Sequence, residues 1–324
     1  MPVSQAQDIH FSQFYDSPLN LNPATTGDFD GSYRLVGNFR RQWTSVSSNP
    51  FRTTSFSADA HDFLKAKNFG LGLVLFQDIA GDSRLKDLRG RLASSYTLNF
   101  GKDLVHQIRL GGAAGINQFS LDYSDLNYGD QFNGNRFDPN LPSMETEGAS
   151  DGGILINAAV GALYWFKSKK LRKFNLGISL ANLNRAKKVF GLGDAARIPR
   201  RLTIHSQVVW PLKTNWYLEP FALFMQQGVY RQFNIGSTLR YDLDPRKFNY
   251  RAVFVGGSSR IGDAANLTAG LYYGPWKFGL SYDINYSRLT AASNYRGGAE
   301  IAVIYIVPAL LPKRVKYKYC PDFL

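Results

Sequence analysis

The chain has 324 residues, a formal net charge of +13, 44% hydrophobic and 14% aromatic residues, 30 glycines and one cysteine. Its apolar runs are short, the most extended lying near Ile301 to Leu311 and broken by Pro308, so none approaches the roughly 20 apolar residues of a spanning helix. A lone Cys320 excludes an internal disulfide framework, and the positive charge, which alone would suit a nucleic-acid binder, is distributed in a way that excludes that partner.

Residues 1–6 close on Ser4-Gln5-Ala6, the small-x-small form of a signal-peptidase site, and read as the remnant of an export signal with Gln7 as the mature N-terminus. Residues 7–31 form a separate segment. Pro18, Pro23 and Gly27 punctuate it too often for a strand or a long helix, while Ile9, Phe11, Phe14, Tyr15, Leu19 and Leu21 make it too apolar for a free tail. It is expected to pack inside or beneath whatever follows, as a periplasmic or lumenal, plug-like segment.

From Ser32 onward apolar and polar residues alternate with period two between turn clusters. Trp276, Phe278, Leu280, Tyr282, Ile284 and Tyr286 share one face, and Lys277, Gly279, Ser281, Asp283, Asn285 and Ser287 the other. Leu176, Ile178 and Leu180 oppose Asn175, Gly177 and Ser179 in the same way, as Leu88, Leu92, Tyr96 and Leu98 oppose Arg89, Arg91, Ser95 and Thr97. The pattern predicts strands near 32–44, 51–60, 69–77, 87–99, 105–119, 153–165, 174–182, 201–210, 214–226, 229–242, 249–258, 265–274, 275–286 and 298–306, fourteen in all. Most reach the roughly 9–11 residues of a tilted spanning strand, and an even count suits a closed bacterial barrel. The expected fold is therefore all-β, a transmembrane antiparallel β-barrel over 32–306, followed by a basic periplasmic tail over 307–324. A soluble β-sandwich would alternate too, but its apolar face would be the buried one and its strands shorter, about 5–6 residues.

With a periplasmic start to the first strand, the long connections 120–152 and 183–200 fall on one side of the membrane and the short turns on the other, as such barrels require. Charge sorts the same way. The long loop carries Asp122, Asp125, Asp130, Asp138, Glu145, Glu147 and Asp151 against Arg136, while the inner side holds Lys65, Lys67, Lys167, Lys169, Lys170, Arg172, Lys173, Arg246, Lys247 and the tail's Lys313, Arg314, Lys316 and Lys318. Basic groups there suit anionic outer-membrane lipid headgroups or an acidic partner, and equally a solvated turn.

His10, His61, His106 and His205 have no metal-ligand spacing; His205 reads as a pore-lining polar residue. No Gly-x-Ser-x-Gly elbow appears, and Gly191 to Asp194 lacks a nucleotide-loop context. No catalytic residues, metal site or cofactor is therefore expected. The extracellular acidic loop with Asp122, Asp125, Asp130 and Asp138 offers hard oxygen ligands for Ca²⁺, but misses the EF-hand spacing, so a solvated or protein-binding loop is the stronger reading. Inward Arg34, Arg40, Arg89, Arg91, Arg109 and Arg240 are placed either to hold an acidic plug or partner segment or to pair with lumen acids such as Asp283.

Asp8, then Phe11-Ser12-Gln13, Pro18, Asn22-Pro23-Ala24 and Gly27, resembles the opening signature of the PorP/SprF family of Bacteroidetes outer-membrane proteins. The likeness departs from the family form at Asp16, Ser17 and Thr25-Thr26. The resemblance implies a non-enzymatic barrel of the cell outer membrane, serving the type IX secretion and gliding apparatus. It implies binding, export or anchoring of an adhesin-like secreted surface protein with a type IX sorting domain, with periplasmic motor or secretion components as further partners. It marks Asp8, Phe11, Ser12, Gln13, Pro18, Asn22, Pro23 and Gly27 as partner-binding or plug residues. The chief rival is an outer-membrane transporter of hydrophobic small molecules, which predicts a greasy lumen pocket; a barrel enzyme or a general porin finds less support.

Overall fold

The computed structural model describes residues 8, 10–44, 49–63, 66–81, 84–100, 106–121, 128–138, 141, 143, 152–167, 171, 173–188, 196–246, 249–287 and 290–308. The strands are β1 (Tyr33–Gln42), β2 (Phe51–Ala60), β3 (Phe69–Ala80), β4 (Leu85–Phe100), β5 (His106–Ser120), β6 (Gly152–Phe166), β7 (Lys173–Ala181), β8 (Lys187–Lys188), β9 (Ala196–Arg197), β10 (Arg201–Lys213), β11 (Trp216–Gln227), β12 (Tyr230–Asp244), β13 (Arg251–Arg260), β14 (Ala264–Tyr273), β15 (Trp276–Asn285) and β16 (Arg296–Val307). Fourteen of them close into one antiparallel barrel; β8 and β9 form a separate two-stranded ribbon. Each barrel strand pairs with its neighbours along the chain, and β1 meets β16 from Tyr33 opposite Val307 to Gln42 opposite Gly298. Closure leaves no sheet edge unpaired, which a bilayer demands because lipid offers no hydrogen bonds.

The distribution of polarity decides between a membrane barrel and a soluble sandwich. Outward side chains are apolar and exposed, for example Ile154 at 68%, Leu92 at 61% and Leu280 at 61%, while Asn38, Ser57, Thr97, Asn157, Thr203 and Ser281 are buried on the inner face. That inversion is stable only where the outer medium is hydrocarbon. Aromatics cluster at the strand ends. Trp216 packs on Tyr241 at 4.7 Å and Trp276 on Tyr305 at 4.5 Å at one end, and Trp43 stacks on Phe51 at 5.6 Å at the other. They form the interfacial belts such barrels carry.

Connections 61–68, 214–215, 245–250 and 274–275 join strands at the end where β1 begins, whereas 121–151 and 182–200 lie at the opposite end. The two-residue turns use left-handed backbone at Asn215 (φ 68°) and Gly274 (φ 56°), conformations that Asn and Gly tolerate. Strand β10 runs past the expected end at 210 to Lys213, with its register against β11 shifting at Pro211/Lys213; a proline in a sheet is accommodated at such an irregularity.

Long connections mark the extracellular side of such barrels, so the long-loop mouth is expected to face outward. In a Cys320→Ser background, a cysteine placed at Asn135 is expected to react with a membrane-impermeant maleimide on intact cells, and one placed at Asn249 only after the outer membrane is opened. The reverse pattern would invert the topology.

Candidate functional site

The N-terminal segment runs along the inner wall from the outer mouth to the inner one. Its local structure is a chain of short turns, Phe14–Asp16, Pro18–Leu21 and Pro23–Thr25, with prolines at the first positions of the last two, where a missing N–H costs nothing. Asn22 caps the last turn, its side-chain oxygen accepting from the Ala24 N–H at 2.9 Å.

At the outer end Asp8 accepts from Arg89 Nη2 at 2.9 Å, Asn182 Nδ2 at 2.9 Å and Gln227 Nε2 at 3.2 Å. Burial alone would raise its pKa, but Arg89 and Arg201 overcome this and hold the carboxyl well below the usual carboxylate range. His10 is pushed the other way. Burial, then the positive charges of Arg260 and Arg40, depress its pKa and keep the ring neutral.

Below it lies the tightest anchor. Glu300 accepts two consecutive backbone N–H groups, Ser12 at 2.8 Å and Gln13 at 3.0 Å, and Ser12 Oγ donates to Asp283 at 2.9 Å. The acids are balanced by cations from nearby strands: Arg40 of β1, directly opposite Glu300 in the register, has Nη2 2.8 Å from Asp283, and Arg260 of β13, two strands from Asp283, has Nη2 3.0 Å from it. Arg40 Nε stands 3.1 Å from Glu300, an ion pair whose alignment falls short of a hydrogen bond. Asp16 pairs with Lys277 at 2.5 Å. Phe14 packs with Phe221, Leu223 and Met225.

Asn22 is fully buried and reaches between β6 and β7, donating to the Ala162 and Ile178 carbonyls at 3.1 and 3.2 Å and standing 3.2 Å from His205 Nε2. At the inner end the Thr26 carbonyl accepts from Arg109 at 2.8 Å, the Thr25 carbonyl from Arg34 at 3.0 Å, and the Gly27 N–H donates to Asp59 at 2.7 Å. Gly27 takes φ 69° there, which its lack of a Cβ permits. The wall is shaped for this path. A Cβ at Gly111 would stand 2.4 Å from the Ala24 nitrogen and one at Gly161 2.0 Å from Asn22 Oδ1.

The segment residues singled out in the sequence thus lie together in the lumen: Asp8, Ser12, Gln13, Asn22 and Gly27 bond to the wall, Phe11 packs edge-on to Phe76 at 6.4 Å, and Pro18 and Pro23 open turns. Asp122 and Asp125 lie outside the described residues. Asp130 accepts from Ser143 at 3.0 Å, and the Asp138 N–H donates to the Gln131 carbonyl. Among the described residues no three acids, histidines or cysteines are grouped to hold a metal. Glu300, Asp59 and the wall glycines were not anticipated. Glu300 carried one usable signal: as a carboxylate in an apolar strand, on the face opposite Ile301, Val303 and Tyr305, it has only an inward place to go.

Fold and site define an outer-membrane β-barrel with polar inner walls and a lumen-lying N-terminal segment. The chain matches the model of the type IX secretion system membrane protein PorP/SprF over residues 3–305 and belongs to that family. Among solved structures it is similar to the Ralstonia pickettii toluene transporter TbuX (TM-score 0.50, 11% identity, covering 88% of this chain and 92% of that one) and the Pseudomonas putida toluene transporter TodX (TM-score 0.50, 9% identity, 93% and 94%). At that identity the likeness speaks for the fold alone. The chain matches no curated protein.

Two substitutions test the anchors. Arg40→Met takes from Glu300 its ion pair and leaves Asp283 with Arg260 alone, and breaking a buried pair in this way is expected to cost about 3–5 kcal/mol, read as a lower temperature for the heat-induced gel shift of the folded barrel. Gly111→Ala forces the segment or the wall to move, an overpacking cost of about 1–3 kcal/mol. Gly37→Ala, whose Cβ meets nothing within 4 Å, is the neutral control.

Proposed function

We propose that this barrel serves type IX secretion by binding and anchoring a secreted surface protein at its outer mouth, with the N-terminal segment as a built-in plug. Family membership sets the secretion context. The observation that carries the finer reading is the segment itself. It takes up the lumen from Asp8 to Gly27 through charged and backbone hydrogen bonds, so the barrel offers a partner its loops and rims in place of an open passage.

The acidic outer loop and the shorter connection 182–200 supply the contact surface on the outer side, and the basic inner turns face periplasmic secretion or motor components. The second reading, transport of hydrophobic small molecules, draws on the toluene transporters' shared fold. The inner wall disfavours it. Its buried residues are largely polar or charged, and the cavity between the segment and the wall, about 30 Å³, is far below the roughly 300–1,000 Å³ of ligand pockets.

An affinity pull-down of the tagged protein from its own outer membrane, followed by mass spectrometry, separates the two. Recovery of one large secreted protein with a type IX sorting domain, or of periplasmic motor components, is expected. Recovery of the barrel alone with bound hydrocarbon or fatty acid would sink the protein-handling reading.

A further inference from the structure

We propose that the cavity between the N-terminal segment and the wall binds a small monoanion of chloride size, held by Arg91 of β4 and Arg201 of β10. This site is independent of the cargo-binding reading.

The first ground is charge. Three guanidinium groups, Arg89, Arg91 and Arg201, border the space. The nearby carboxylates are already engaged: Asp87 and Asp8 both pair with Arg89, and Asp8 lies 3.6 Å from Arg201. Arg91 donates through Nη2 to the neutral Asn20 amide at 2.7 Å, and no carboxylate among the described residues lies within ion-pair distance of it. Three cations against two anions leave one buried positive charge, an arrangement that is costly unless a counter-ion joins it.

The second ground is hydrogen bonding. Arg91 Nε and Arg201 Nε are buried without an acceptor, and Arg201 is only 8% exposed. Among the buried side-chain atoms left without a partner, none that borders this cavity is an oxygen. Guanidinium nitrogens only donate, so the group that satisfies them must be an acceptor. A water there would accept from them but bring no charge, leaving the excess cation uncompensated. A halide accepts from both nitrogens, owes no hydrogen of its own, and cancels the excess charge.

Size points the same way. At about 30 Å³ the cavity exceeds the roughly 10–15 Å³ that a single water needs, which admits a chloride and excludes a lipid headgroup. Neutral His10, whose ring also borders the space, adds no competing charge. The ion would tie β4, β10 and the outer half of the segment together, completing the anchor that Asp8 begins.

Bromide is the probe. Crystals of the full chain grown with bromide in place of chloride are expected to show an anomalous peak within hydrogen-bonding reach of Arg91 Nε and Arg201 Nε. In detergent, the unfolding temperature is expected to rise with halide at constant ionic strength against gluconate, following the mass action of a ligand that binds the native state, and Arg91→Gln is expected to abolish that dependence. A wild-type cavity with no anomalous peak, or with water density only, would overturn the proposal. So would a halide response undiminished in Arg91→Gln. An Arg91→Gln chain that fails to fold leaves the bromide peak in the wild type as the deciding result.

Discussion

The structure turns on one carboxylate. Glu300 sits almost wholly buried on the inner face of β16 and spends both oxygens on the backbone N–H groups of Ser12 and Gln13. A carboxylate cannot stay charged in so dry a place without compensation, and Arg40 and Arg260, with Asp283 between them, supply it. The segment therefore supplies part of what these wall charges need. Remove the segment and Glu300 loses two donors and Asp283 one. Wall and segment are a single electrostatic object.

Shape enforces what charge begins. A lumen-facing glycine is a poor choice for strand stability, because it packs nothing and costs conformational entropy. Here the wall positions opposite Ala24 and Asn22 are glycine for a reason, since a methyl group at either would occupy the segment's own space. The same close approach lets the Asn22 amide reach the carbonyls of Ala162 and Ile178, residues that face each other across β6 and β7. Small residues on the wall and a capped, proline-started turn on the segment answer each other.

The sequence announces the barrel more readily than its interior. Period-two alternation is a local signal, so the strands could be placed within a few residues, and the outward apolar stripe of β15 named side chain by side chain. Extension of β10 through Pro211 was missed because proline reads as a stop, although a register irregularity accommodates it. The ribbon of β8 and β9 was missed because two residues carry no period. The segment's turns were legible at Pro18 and Pro23, but its partners were not. Ser12 and Glu300 are 288 residues apart, and nothing in either neighbourhood names the other. The inward arginines had two readings, holding the segment or pairing with lumen acids. Arg40 does both at once, bonding the His10 carbonyl and Asp283, because a buried guanidinium has five donors to satisfy.

Magnitudes decide whether the segment behaves as a gate or as part of the wall. Hydrogen bonds to charged groups contribute about 1.5–3 kcal/mol each. Those joining Asp8 to Arg89, Glu300 to Ser12 and Gln13, Lys277 to Asp16 and Asp59 to Gly27 are spread along the whole length of the segment. Even four of them together reach about the 5–15 kcal/mol that separates a folded domain from its unfolded chain. Release on the scale of a conformational gate, a few kcal/mol, is thus too small to move it.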